Sequence, residues 1–250
     1  MANILDRYGI KEVADVTFYE VNENGKPGAP VLFLDTLKVS TIEQTAENAE
    51  ARGGKGNAAL ISWDYGKEIT VTLEDALYSA KSLAMMFGDV DNEGRPAPSD
   101  TTTANLYKTV RYDANTMSEL QAGGSIAIQV NGNTVNLNSC AIYDANGSTV
   151  TAGDNAAYVT GIFVPTAAMI IDVSANAFPG NYYVTGDTYA RSETTGKDEF
   201  FQFIIPKAKV MSESNTITLE AEGDPTVFTM SLKVLRPADG QMMKLVQYTI

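Results

Sequence analysis

The chain has 250 residues, 44% hydrophobic and 20% charged, the composition of a folded protein with room for a substantial core in one large domain or two small ones. Its 31 acidic against 18 basic residues give a net charge of −13, a balance that repels a nucleic-acid backbone. It has no histidine and one cysteine, Cys140, which removes Ser-His-Asp and Cys-His catalysis, the usual zinc sites and any internal disulfide, and leaves a carboxylate-only enzyme or a magnesium site as the remaining catalytic options.

The opening MANILDRYGIKEVADVTFYE lacks a basic start followed by an apolar run, and no uncharged apolar run is long enough for a membrane-spanning helix. The expectation is a protein made in a cytosol and soluble there, with no membrane anchor. DVTFYEV (15–21) is rich in β-branched and aromatic residues and reads as a strand closed by the turn cluster NENGKPG. APVLFLDTLKVSTIE (29–43) returns as the second arm of a hairpin. Residues 43–57 then read as a mobile glycine-rich loop ending in Arg52, Gly53, Gly54, Lys55 and Gly56.

Glycine beside lysine suggests a phosphate cradle, but a Walker loop requires Ser or Thr after the lysine and a helix next. Here Gly56 and a strand, ALISWDYG, follow instead. In KEITVTL, Ile69, Val71 and Leu73 alternate with Glu68, Thr70 and Thr72, as in a strand wet on one face. The period then changes. Leu77, Ala80, Leu83, Ala84 and Phe87 follow helical spacing, so a helix is predicted from a Thr72 cap, with Glu74 and Asp75 in its first turn and Gly88 as its stop.

DVDNEGRPAPSD (89–100) resembles the start of a calcium loop but has Asp100 where a bidentate glutamate belongs, and reads as an acidic surface turn. NLYKTVRYDA reads as a strand. Residues 118–176, dominated by Asn, Gly, Ser, Thr and Ala, read as β-rich elaboration of a single domain spanning 1–250, or as a small subdomain, with Asn-Gly hairpin turns in VNGNT and DANGS. Cys140 reads as a small buried or half-buried strand residue rather than a reactive thiol. EFFQFIIPKAKV (199–210) is a strand ended or bulged near Pro206. A long hairpin is predicted over 212–236 around Gly223-Asp224-Pro225, with Ile217, Leu219 and Ala221 alternating on one arm and Phe228, Met230, Leu232 and Val234 on the other. MMKLVQYTI is a final strand.

The phrases ISWDYGKEITVTLEDAL and EFFQFIIPKAKV…SNTITLEAEGDPTVFTMSLKVL, in an acidic, histidine-free, β-rich chain, resemble the tail tube (major tail) proteins of tailed bacteriophages. The resemblance covers roughly 10–117 and 180–250. It implies a mainly β fold, an antiparallel sandwich or barrel-like arrangement of two packed sheets with one flanking α-helix and a long C-terminal hairpin. It further implies a structural virion protein, not an enzyme, with no cofactor and no metal, assembled in the host bacterial cytoplasm. Copies would form hexameric rings with inner sheets joined edge to edge, stacked into a hollow conduit for DNA. Partners would be other copies, the tape measure and tail terminator proteins, and a sheath in a contractile tail. The segments expected to order between subunits are Arg52–Gly56 in the loop and Glu220, Glu222, Asp224 and Phe228 in the late hairpin. Alternatives are a capsid decoration or baseplate-hub protein, or a carbohydrate-binding adhesin using Trp63, Tyr182, Tyr183 and Tyr189 as stacking faces.

Overall fold

A computed structural model describes residues 7–101, 104–151, 155–213, 215–217 and 226–249. In chain order the elements begin with β1 (Tyr8–Ile10), β2 (Asp15–Val21), β3 (Pro27–Leu34), β4 (Leu37–Gly53), β5 (Ala58–Asp75) and α1 (Ala80–Phe87). They continue with β6 (Ser99–Thr101), β7 (Leu106–Arg111), α2 (Ala114–Met117), β8 (Ile126–Val130), β9 (Asn133–Asp144), β10 (Thr149–Val150), β11 (Ala156–Phe163) and β12 (Ala168–Ile170). The last are β13 (Asn181–Ser192), β14 (Asp198–Val210), β15 (Phe228–Val234) and β16 (Lys244–Tyr248). The fold is mainly β and every strand pairing is antiparallel, as the sequence predicts.

The chain divides into two compact units, Met1–Pro98 with Ile171–Ile250, and Ser99–Ile170. The first holds one nine-stranded sheet in the order β3-β2-β13-β14-β15-β5-β4, with β1 added to β13 and β16 to β14. Its core is built by alternation. Val16 and Phe18, Ile69, Val71 and Leu73, Tyr182 and Val184, Phe203 and Ile205, and Met230, Leu232 and Val234 all point inward. Burying this set removes several large apolar side chains from water at about 1.5–3 kcal/mol each, the main force holding the sheet around its core. β14 runs through Pro206 with a register shift where Tyr182 and Val184 face Ala208 and Ile205, the bulge that proline foretells. Gly186 sits opposite Phe203, and a Cβ there would overlap the phenyl ring.

The helix begins later than the spacing predicts. Glu74 and Asp75 stay in β5, held by pairing with Thr229 and Phe228. The Asp75 carboxylate accepts a 2.5 Å hydrogen bond from Thr36 Oγ and one from the Leu77 amide, so it closes a turn rather than opening a helix. Ser79 is the true N-cap, in a reciprocal capping box with Ser82. Gly88 ends the helix as predicted, at φ 80°, with its amide donating to Ala84.

The loop after α1 is fixed at its centre. The Tyr182 hydroxyl donates to the Gly94 carbonyl, and Gly94 lies so close to Gly180 that a Cβ would come within 2.8 Å of the Gly180 Cα. Burial pushes the Tyr182 phenol up to about 12. Its ring meets Phe18 edge to face at 5.9 Å.

The second unit holds a five-stranded sheet, β10-β9-β11-β7 with β8 on β9, and the β12–β6 pair. Its core is separate: Met117, Leu120, Ile128, Val135, Leu137, Cys140, Ile142 and Val159. Cys140 is buried there, and burial raises its thiol pKa. The Asn131-Gly132 turn has φ values of 49° and 79°, the left-handed pair that a tight hairpin requires. The single-turn α2 is capped by the Asp113 side chain.

Candidate functional site

The most distinctive feature of the first unit is the β4–β5 hairpin. Its strands are 17 and 18 residues long, against the five or six of an ordinary strand. Ile69, Val71 and Leu73 anchor its base in the core. Beyond them every residue of β5 from Ala58 to Glu68 is exposed, as are residues 41–50 of β4. The sequence predicts a loop over 43–57. Strand β4 instead continues to Gly53, because residues 43–53 pair along β5, with register shifts after Thr45 and after Ala51, despite weak strand propensity of their own.

A bulge separates base from arm. Thr45 pairs with Glu68 and Glu47 with Tyr65, so Gly66 and Lys67 oppose Ala46 alone, and Gly66 has φ 63°. That is the geometry of a glycine bulge, which adds local twist and re-aims the ribbon beyond it. At the far end Gly54, Gly56 and Asn57 take φ values of 78°, 88° and 51°, closing the turn with the Asn57 amide on the Gly54 carbonyl. Of the five residues singled out at RGGKG, Arg52 and Gly53 end β4, while Gly54, Lys55 and Gly56 form the tip.

The ribbon has two unlike faces. Register and alternation place Ile61, Trp63 and Tyr65 on one side with Ala51, Ala49 and Glu47 opposite them. The three large side chains are each 54% exposed. The other side is polar: Asn48 Nδ2 donates to Ser62 and, at 2.9 Å, to Asp64, and Arg52 pairs with Glu50 at 2.5 Å. Only Leu60, near the tip and against Gly53, interrupts it. A two-stranded ribbon is marginal in water alone, and this one presents a continuous apolar face with nothing of its own unit covering it. The alternation of 61, 63 and 65 was visible in ISWDY. What the sequence did not display was the pairing that sets the small Ala51 and Ala49 opposite Ile61 and Trp63.

The other sequence candidates fall elsewhere. Glu220, Glu222 and Asp224 lie outside the described residues, as does the predicted turn at 223–225. Phe228 opens β15, packs on the core of its own unit, and lies 5.0 Å from the Tyr78 ring. Of the four aromatics proposed as sugar platforms, Tyr182 is buried and excluded from that role, Tyr183 is half-buried against Tyr19, and Tyr189 meets Phe200 at a tilt, while Phe200 stacks on Tyr248. These residues and Trp63 do not form one platform. The acidic turn at 89–100 is organised by a cation of its own: Arg95 pairs with Glu20 at 3.1 Å, Asp91 at 3.2 Å, and Glu93. Among the described residues no cluster of metal-ligating side chains is found, and no helix is long and apolar enough to cross a membrane.

The model of the YomU/Tube protein family matches residues 8–247, nearly the whole chain and both units, so the chain belongs to that family. This is a family of phage tail tube structural proteins, which makes the chain a virion component that assembles with itself and with other tail proteins. No curated protein matches the sequence.

Proposed function

From membership of the tube family we propose that copies of this chain form hexameric rings that stack into the tail tube, the conduit through which DNA leaves the virion. The observation that carries this reading is the β4–β5 arm. Its apolar face of Ile61, Trp63 and Tyr65 is uncovered in the single chain, and a tube supplies the cover from another copy. The tip residues Arg52–Gly56 order against that copy. Free sheet edges are joined between subunits, which removes the aggregation hazard of open strands. The net charge of −13 suits a bore that must release its cargo. The unit Ser99–Ile170 elaborates the tube subunit. Tape measure, tail terminator and, in a contractile tail, sheath proteins complete the partners, with assembly in the host cytoplasm.

The direct test is negative-stain microscopy of purified protein over a concentration series. Sixfold rings or striated hollow tubes above a critical concentration are expected. A protein that stays monomeric at every concentration refutes the reading, and discrete rings capping purified tails point instead to a hub or terminator role.

A further inference from the structure

A head-to-tail assembly that repeats without closing requires two different, complementary surfaces on every copy. The arm is one, and the structure carries a candidate for the other. An open groove of about 350 Å³ runs along β3, lined by Pro30–Phe33 on the strand and Ser79, Ala80 and Lys81 at the start of α1. β3 is a terminal strand of the nine-stranded sheet. Phe33 is 57% exposed, and Leu77 and Tyr78, immediately before Ser79, are 63% and 56% exposed.

We propose that this groove receives the apolar face of the arm of a second copy, an inference that rests on the self-assembly reading above. Two properties select that occupant. First, β3 contains Pro27 and Pro30, which lack the amide donors that an added strand needs. An occupant must therefore engage mainly through side chains, as a ribbon face presenting Ile61, Trp63 and Tyr65 does. Second, the charges complement. Lys81 is exposed at the groove, and α1 has no acidic residue in its first turn to offset the positive end of its dipole. The arm brings Glu47 on the same face as Trp63 and Tyr65.

The test uses the full chain in three variants: Trp63→Ala, which weakens the arm, and Phe33→Glu and Lys81→Glu, which alter the groove. Circular dichroism melting first establishes that each is folded; Lys81 is a surface residue, so its variant remains informative if Phe33→Glu misfolds. Each of Trp63→Ala and Phe33→Glu raises the critical concentration for polymerisation by about 10-fold or more, the effect of removing a hot-spot contact. Mixed together, the two give a discrete complex by sedimentation velocity, because the arm of the Phe33→Glu copy fits the groove of the Trp63→Ala copy. Adding Glu47→Lys to Lys81→Glu restores part of the lost assembly. If wild type and Trp63→Ala differ but both groove variants polymerise like wild type, the groove assignment is overturned and self-assembly through the arm stands. If the wild type never assembles, the self-assembly reading itself fails.

Discussion

Raising the pH isolates the contribution of Tyr182, which ties the loop after α1 to the sheet. In the unfolded chain this phenol ionises near 10.0, and in the folded protein burial holds it up to about 12. A raised folded value means that the stabilisation is fully present below pH 10 and is lost as pH climbs from 10 through 12. The shift corresponds to about 3 kcal/mol in the limit, with about half of it lost by pH 11. Replacing Tyr182 with Phe removes the ionisation together with the hydrogen bond to Gly94. The Gly94 carbonyl still accepts from the Gly180 amide at 3.4 Å, so it is not orphaned and the loss at neutral pH is about 1 kcal/mol. The two effects have opposite sign. Urea unfolding of monomeric protein at pH 8, 10, 11 and 12 should show wild type ahead by about 1 kcal/mol at pH 8, the curves meeting near pH 11, and Tyr182→Phe ahead at pH 12. Ionisation of the other tyrosines and the lysines is common to both proteins and cancels in the difference. A difference independent of pH would show that Tyr182 is not the buried phenol described and would refute the argument.

Replacing residues 48–64 with Asn-Gly, so that Glu47 and Tyr65 flank a two-residue turn, should leave the melting temperature within a few degrees of wild type and abolish tubes in the microscope. A large loss of stability would mean that the arm is part of the folding core. Gly186→Val should destabilise by about 1–3 kcal/mol in urea, because the new side chain must displace the buried Phe203 ring, and unchanged stability would contradict that packing. At Gly66, φ of 63° disfavours any side chain, so Gly66→Val should cost about 1–2 kcal/mol if the bulge is kept. The variant should also assemble poorly because the arm is re-aimed, and normal tubes would show that the bulge does not set the arm's direction.

The sheet was legible wherever one face is buried by a neighbour. Ile69, Val71 and Leu73, and Met230, Leu232 and Val234, alternate against polar residues, and all six are buried. The Asn131-Gly132 turn and the Gly88 stop were equally readable, because each demands a left-handed backbone that few residues accept. The arm was not legible from β4. EQTAENAEARG is made of helix formers and polar residues with no period of two, and it is a strand because β5 templates it. The helix start was misread for a related reason. Glu74 and Asp75 are good first-turn residues in isolation, but Asp75 is committed to Thr36, 39 positions earlier. In both places a non-local pairing overrode a local preference. One local clue to the arm stood in DYGKE, where a lone glycine inside a strand pattern marks a bulge.

The same hairpin thus divides its work along its length. Its base contributes Ile69, Val71 and Leu73 to the core and is fixed by folding of the single chain. Past the Gly66 bulge no buried side chain holds it, so on the proposed reading its order comes from the next copy. Such an arm endangers a free subunit, since an exposed apolar ribbon invites indiscriminate pairing. Two features oppose that hazard. Glu47 sets a charge at the base of the apolar face, opposite Tyr65, and the whole chain carries a net charge of −13, so free copies repel one another over about a Debye length. A weak ribbon–ribbon encounter must overcome that repulsion with a few side chains. On the proposed reading, a ribbon seated beside Phe33 and Lys81 of another copy adds apolar contact and a local attraction to Glu47, and it prevails at a concentration where random pairing does not.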